Sequence, residues 1–275
     1  MAFVYLGTSG YAYPDWHGSF YPTDLKPAGR LLFYASRFSF VEIDYSYYRM
    51  PTPKTVQSMI RNVPDAFPFV FKAHRSLTHE RAEIVIDIES RVTKYVDALV
   101  PLRDRPAPTG VLLQFPFSFG YDARNRRYLG NLAEAFRKET ARREIPLRLF
   151  IEYRNLRWQR ESVREGMLEY GLHPVLVDLP ELDGLPEPFC FADAAHATSL
   201  YVRFHGRNTG TWWNGTAVSR YDYNYSEDEL RHRAGELLRL IESGNRELIF
   251  VAFNNHYQGR APANAAAFAG LIRNR

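Results

Sequence analysis

Eight short apolar runs, rich in β-branched and aromatic residues, alternate along the chain with segments of helical periodicity. Strands of a parallel sheet are covered on both faces, so they read as continuous apolar runs. We predict strands at Phe3–Thr8, Phe40–Asp44, Pro68–Ala73, Gly110–Phe115, Leu147–Tyr153, Leu172–Asp178, Ser199–His205 and Glu247–Asn254. This alternation constrains the fold most strongly and predicts an α/β protein, a (β/α)8 barrel of the TIM type.

The segments between the runs carry helix signals. After the third run, Ile88 and Val92 begin an apolar face with helical spacing. Ser226 and Glu229 have the spacing of a capping box at a helix start. Pro180–Ala197 has three prolines and no helical period, so the sixth unit of the barrel is expected to be irregular, with a short or missing helix.

The chain has 275 residues, a normal length for one barrel, and shows no linker or low-complexity tract. We therefore predict a single domain over residues 1–275. An open doubly wound sheet is the alternative architecture. Its nucleotide-binding form has a GxGxxG turn after the first strand, which is missing here.

Composition narrows the class of protein. Hydrophobic residues make up 45% and charged residues 24%, as in soluble globular proteins. The single cysteine, Cys190, forms no internal disulfide, and no run approaches the roughly 18 apolar residues that span a membrane. With no signal peptide recognised, we expect a cytoplasmic protein that does not bind membranes. The net charge of +4 suits an anionic ligand.

Polar residues gather at the carboxyl ends of the predicted strands. Alternate side chains of a barrel strand point to the axis, and unpaired charges there cost several kcal/mol each. Such residues pair with one another, meet water or bind a ligand, so a functional site is expected at these ends, with a purely structural ion-pair network as the alternative. The polar set is Glu42, Asp44, Lys72, His74, Gln114, Glu152, Arg154, Asp178, Arg203, His205, Asn254 and Asn255.

Two loops at the same predicted end are long, the first over Ser9–Gly29 and the seventh over Gly206–Tyr225. Loops of this length in a compact domain are usually functional, and their aromatic residues suit stacking on bases or sugar rings. Alternatively, Trp16 and Trp212 only pin the loops to the barrel. We assign substrate binding in these loops to Ser9, Tyr11, Trp16 and Arg207.

Several motifs resemble those of the YecE-like family, known as domain of unknown function 72. They are Gly7-Thr8-Ser9-Gly10-Tyr11, Val41-Glu42-Ile43, Leu113-Gln114-Phe115-Pro116, Glu152-Tyr153-Arg154, Arg203-Phe204-His205-Gly206-Arg207 and Phe253-Asn254-Asn255-His256. The resemblance covers nearly the whole chain in order. It implies a TIM-type barrel and no particular activity, because the family is named for lacking one.

The leading functional hypothesis is a metal-independent hydrolase or lyase that acts on an anionic substrate, including a phosphorylated one. Lys72, Arg154, Arg203 and Arg207 would hold the anion, and the Gly7–Gly10 turn would add backbone N–H groups. Glu152 or Asp178 would be the general base and His205 the general acid. The predicted catalytic residues are Glu152, His205, Lys72 and Asp178; the other substrate-binding residues are Glu42, His74, Gln114, Arg154, Arg203, Asn254 and Asn255.

A metal-dependent phosphodiesterase or nuclease, similar to endonuclease IV-type barrels, is the first alternative. Its ligands would be His74, Glu152, Asp178 and His205. Imidazole and carboxylate suit zinc or manganese, but three cationic side chains alternate with these ligands along the strands. We therefore assign no metal ligands and expect no cofactor.

Two further hypotheses start from basic residues. Lys72 has the placement of a Schiff-base lysine, although nearby carboxylates would keep it protonated. A basic stretch around the fourth helix indicates either a non-catalytic nucleic-acid binder or a solvated helix face. The stretch comprises Arg124, Arg126, Arg127, Arg137, Lys138, Arg142 and Arg143. We expect a small or nucleotide-like anionic partner, keep nucleic acid as the alternative, and assign no role to His79 or His256.

Overall fold

A computed structural model describes residues 2–194, 196–243 and 246–273. The strands are β1 (Phe3–Thr8), β2 (Val41–Ile43), β3 (Phe69–Lys72), β4 (Thr109–Gln114), β5 (Leu147–Glu152), β6 (Leu172–Asp178), β7 (Ser199–Phe204) and β8 (Leu248–Phe253). They form one eight-stranded sheet in the order β1-β8-β7-β6-β5-β4-β3-β2. This order, with helices between the strands, is that of a TIM-type (β/α)8 barrel and confirms the predicted fold.

The helices are α1 (Arg30–Ala35), α2 (Pro53–Ile60), α3 (Arg75–Thr78), α4 (Val85–Leu99), α5 (Ala123–Arg143), α6 (Glu161–Glu169), α7 (Phe191–Ala194), α8 (Ala217–Arg220), α9 (Glu227–Glu242) and α10 (Arg260–Arg273). The sixth connection is irregular as predicted, because α7 has only four residues. The first and seventh connections are long, also as predicted. Within the described residues, no helix is long and apolar enough to cross a membrane.

The chain divides into two compact units. Unit 1 comprises Met1–Glu42, Val175–Asp183 and Glu187–Arg275, and unit 2 comprises Ile43–Pro174 and Gly184–Pro186. In unit 1, β8 pairs in parallel with β1 and β7. In unit 2, β4 pairs in parallel with β3 and β5. The single domain over residues 1–275 stays a prediction.

Local sequence signals set several of the helix ends. Thr52 caps α2, with its hydroxyl accepting a hydrogen bond from the Thr55 backbone N–H. Ser226 and Glu229 form the predicted capping box of α9. Gly171 follows α6 with a φ of +63°, a conformation that favours glycine.

The end of β1 is packed tightly against the segment that leads into β2. The Tyr34 hydroxyl accepts a hydrogen bond from Thr8 N at 2.7 Å and donates to Phe40 O at 3.2 Å. A Cβ atom on Gly7 would overlap the Phe40 carbonyl oxygen and lie 2.8 Å from the Tyr34 hydroxyl. This close approach requires glycine, because backbone atoms cannot move aside as a flexible side chain can.

We predict that Gly7→Ala lowers the free energy of unfolding by about 1–3 kcal/mol, through overpacking. The matched control is Gly166→Ala in α6, where an added Cβ meets nothing within 4 Å. That change removes a helix-interior glycine and is expected to raise stability by about 0.5–1 kcal/mol. Urea denaturation followed by circular dichroism measures both. A Gly7→Ala protein as stable as the wild type would contradict the packing described for β1.

Candidate functional site

In unit 1, a buried ion pair joins the ends of β2 and β7. Arg203 donates from Nε to Glu42 Oε2 at 2.9 Å and from Nη2 to Glu42 Oε1 at 2.6 Å. The Tyr201 hydroxyl also donates to Glu42, and Arg203 Nη2 donates to Ser9 Oγ at 3.1 Å. Glu42 is 0% exposed and Arg203 1% exposed. The charge of Arg203 is therefore balanced inside the protein by a two-pronged contact, the strongest geometry for this kind of pair.

His205, also fully buried, lies beside this pair. Its Nε2 is 3.4 Å from Arg203 Nη1, and its Nδ1 is 2.9 Å from the Asn254 side-chain amide. A protonated ring would place a second positive charge beside the guanidinium, which is strongly unfavourable in a buried setting. We therefore treat His205 as neutral, with Nδ1 accepting a hydrogen bond from the Asn254 amide nitrogen. Asn254, predicted to bind substrate, orients this ring.

A second buried network in unit 1 surrounds Asp178. Arg207 donates to it from Nη2 at 3.0 Å, and Arg233 of α9 also donates from Nη2 at 3.0 Å. Glu229, on the same helix, accepts from Arg207 Nη1 at 3.3 Å and from the Tyr223 hydroxyl at 2.6 Å. These contacts tie the seventh loop to β6 and α9. No sequence pattern marks Arg233, and the spacing of Glu229 from Ser226 indicates only its capping role.

The loop residues of unit 1 make mainly anchoring contacts. Trp16 is fully buried and its indole N–H donates to His256 O at 2.7 Å. Tyr13 stacks on the His256 ring with centroids 4.4 Å apart. Asn255 donates to Asn264 Oδ1 at 2.7 Å. Tyr11, by contrast, is partly exposed.

The prediction that N–H groups of the Gly7–Gly10 turn bind an anion is wrong for Thr8, Ser9 and Gly10. Ser9 N donates to Phe253 O at 2.9 Å, and Gly10 N donates to Glu42 O at 2.8 Å. The Thr8 N–H is bonded to the Tyr34 hydroxyl. Two of these donors bond to backbone oxygens of neighbouring segments and the third bonds to a tyrosine hydroxyl. All three are therefore already satisfied and are not available to an anion.

In unit 2, a second buried carboxylate–guanidinium pair stands at the end of β5. Arg154 Nε lies 2.5 Å from Glu152 Oε1. Glu152 is 0% exposed, whereas Arg154 keeps 8% of its surface exposed. Gln114 of β4 is in register with Glu152 and donates from Nε2 to Phe115 O at 3.0 Å. Glu152 is thus an orienting partner for Arg154, whose side chain keeps only a small exposed fraction.

A cationic cluster lies at the end of β3 in unit 2. Lys72 Nζ is 4.6 Å from the ring centroid of Tyr47, and the His79 ring meets the edge of the same tyrosine at 4.9 Å. Thr78 Oγ1 is 2.9 Å from His79 Nδ1. Burial, followed by the positive charges of Lys72, Arg81 and Arg154, lowers the pKa of His79 to about 4. His79 is therefore neutral at pH 7 and stands in a positive field.

His74 occupies a different position, at the start of α3. Its Nδ1 accepts from Ser76 N at 3.3 Å and lies 2.9 Å from Ser76 Oγ. Burial, followed by the charge of Arg75, lowers its pKa. His74 therefore works as a helix cap, whereas His79, to which the sequence analysis assigned no role, stands among the cations. Its only sequence signal was its place just beyond β3.

No group of three or more His, Cys, Asp or Glu side chains in the described part of the chain is arranged to hold a metal ion. The ligands predicted for the phosphodiesterase alternative have protein partners. Glu152 is paired with Arg154, and Asp178 with two arginines. His74 contacts Ser76, and His205 contacts Asn254.

The basic stretch around α5 is largely neutralised on the protein surface. Ion pairs join Arg124 to Glu83, Arg137 to Glu134, Lys138 to Glu89, Arg142 to Glu139, and Arg143 to Asp97 and Glu139. Exposed pairs of this kind contribute little stability, but they reduce the net positive charge of the face. This pattern favours a solvated helix face over a nucleic-acid surface.

These observations define a TIM-barrel protein with buried ion pairs at the carboxyl ends of its strands. A family model described as "Protein of unknown function DUF72" matches residues 5–275, so the chain belongs to this family. The UPF0759 protein YunF of Bacillus subtilis (strain 168) is 28% identical, over 98% of this chain and 94% of its own.

Solved structures of the family agree with this assignment. The DUF72 family protein TM1631 of Thermotoga maritima MSB8 is 33% identical with a TM-score of 0.82, over 98% of this chain and 99% of its own. The DUF72 family protein EF0366 of Enterococcus faecalis V583 is 25% identical with a TM-score of 0.79. The match covers 98% of this chain and 96% of its own. The names of these relatives state no activity.

We predict that Glu42→Gln lowers the free energy of unfolding by about 3–5 kcal/mol, because it leaves Arg203 buried without a countercharge. The matched control is Glu134→Gln, which removes a solvent-exposed partner of Arg137 and is expected to leave stability unchanged. Urea denaturation compares the two variants. Equal, small effects would show that the buried pair is not needed for the fold.

Proposed function

We propose that the protein is a hydrolase or lyase whose anionic substrate is held in unit 2 by Lys72, His79 and Arg154. The observation that carries this proposal is the partly exposed His79, which stands in the field of three cationic side chains. An anion at this position would offset their mutual repulsion. Perturbed ionisable groups at an accessible place are a recognised sign of a functional site.

Each side chain of the proposed site has a separate role. Lys72 is a compact cation held against the Tyr47 ring, suited to stabilising negative charge that develops on the substrate. His79, neutral at pH 7, would donate a hydrogen bond without adding charge, as neutral histidines near positive charge do in other enzymes. Arg154 would grip two oxygens with its planar guanidinium.

Glu152 takes a positioning role in this proposal. Its carboxylate has no exposed surface and accepts from Arg154 Nε, so it orients the guanidinium and does not contact the substrate. The roles of His205 as general acid and Asp178 as general base stay predictions. Both are 0% exposed and engaged in the networks of unit 1.

A histidine titration tests the proposed anion site. We predict that sulfate, which stays a dianion over this range, raises the pKa of His79 above about 4, because a nearby negative charge favours the imidazolium. By linkage, sulfate binding then strengthens as the pH falls through the raised pKa. Proton NMR of the imidazole signals, with and without sulfate, measures the shift.

Two variants make this titration decisive. Lys72→Met removes one cation, so it should raise the pKa of His79 in the free protein and weaken the response to sulfate. Lys138→Met makes the same chemical change at an exposed lysine that is paired with Glu89, and should leave both quantities as in the wild type. If sulfate leaves the pKa of His79 unchanged in the wild type, the proposed site is refuted.

A further inference from the structure

We infer that the cleft between the segment after α3 and the start of α5 is a second anion subsite, which suits the protein to small molecules with two or more phosphate-like groups. The cleft has a volume of about 320 Å³, more than one such group fills. Its lining includes His79, Arg81, Arg124 and Arg127. The inference extends the proposed function, since His79 belongs to both places.

Arg81 carries the argument. It is only partly exposed, and burial lowers its pKa. Its guanidinium lies 4.7 Å from the Phe119 ring centroid and donates from Nη1 to Thr78 O at 3.0 Å. Among residues 2–194, 196–243 and 246–273, no carboxylate lies within ion-pairing distance of Arg81. Its charge is offset by the Phe119 and Tyr128 rings and, at longer range, by Asp122, but by no ion pair among the described residues. An anionic ligand would stabilise such a half-buried guanidinium, because partial burial of a charge is costly.

Two arginines at the strand ends show how a buried guanidinium is compensated by a carboxylate. Arg203 and Arg154 are each paired with a fully buried glutamate. Of the two acidic residues that line the cleft, Glu83 pairs with Arg124, which also lines it, and Glu80 pairs with Arg75. Arg127, which is exposed on the cleft wall, has no carboxylate within 4 Å in the described part of the chain. The cleft therefore keeps a positive excess near Arg81 and Arg127.

The rest of the lining suits a polar ligand. Asn125 is buried and donates from its side-chain amide to Gly120 O at 2.8 Å, which fixes the first turn of α5. The Tyr128 hydroxyl donates to Leu77 O at 2.8 Å. These bonds hold the walls of the cleft together before any ligand arrives. A preformed wall lowers the ordering cost of binding.

Isothermal titration calorimetry with inorganic phosphate and with tripolyphosphate tests the inference. The wild type should bind tripolyphosphate about tenfold more tightly than phosphate, the gain of one further charge-assisted contact. Arg127→Gln should remove most of this gain without weakening phosphate. The matched control is Arg126→Gln, which removes the same charge from a neighbouring side chain that lies 5.2 Å from the Tyr121 ring centroid. Circular dichroism checks that both variants fold.

The outcomes separate the two proposals. Phosphate binding that depends on Lys72, with no gain for tripolyphosphate, would overturn the second subsite and leave the first intact. Equal losses in Arg127→Gln and Arg126→Gln would also overturn it, because the gain would then reflect net charge alone. Binding of neither probe by the wild type would overturn the proposed function itself.

Discussion

The compensation of buried charge by buried charge is the constraint on which the ends of the strands depend. In unit 1, Glu42 and Arg203 meet in a two-pronged ion pair with almost no exposed surface. In unit 2, the buried carboxylate of Glu152 pairs with Arg154 through its Nε atom. Removing one partner from such a pair leaves an uncompensated ion, which is far more damaging than replacing both. The polar residues at the strand ends are therefore first of all a condition for folding.

The buried and half-buried cations differ in whether a carboxylate of the protein pairs with them. Arg203 and Arg233 have their countercharges within the protein. Arg81 is half-buried, and within the described chain no carboxylate pairs with it. Burial lowers the pKa of His79 first, and the positive charges of Lys72, Arg81 and Arg154 add to the effect. A site that stays positively charged after folding is prepared for an anion, and this is why the proposals centre on unit 2.

The fold was predictable from sequence because it depends on periodicity. Eight apolar runs gave the eight strands to within one or two residues, and the Ser226–Glu229 spacing marked the start of α9. The alternation of side chains along a strand also predicted that Glu42, Arg203 and His205 point to the barrel axis. The structure places the three together. Arg203 and His205 lie two residues apart along the chain, so pleating puts them on one face. Glu42 lies at the carboxyl end of another strand, where the barrel fold gathers such ends.

The missed features depend on tertiary contacts that carry no periodic signal. Arg233 looks like an ordinary helix residue, and only the approach of α9 to β6 pairs it with Asp178. His79 follows α3, and its low pKa arises from burial and from cations on other segments. The N–H groups of the Gly7–Gly10 turn looked available, but the sheet neighbours of β1 take them up. Pairing partners of this kind are set by packing.

The most direct measurement is an anomalous-scattering crystal structure of the protein soaked in selenate, a dianion with the shape of sulfate. A selenium peak within hydrogen-bond distance of Lys72, His79 or Arg154 is the predicted result. Peaks confined to exposed arginines of α5, with none at these three residues, would contradict the proposal that unit 2 holds an anionic substrate.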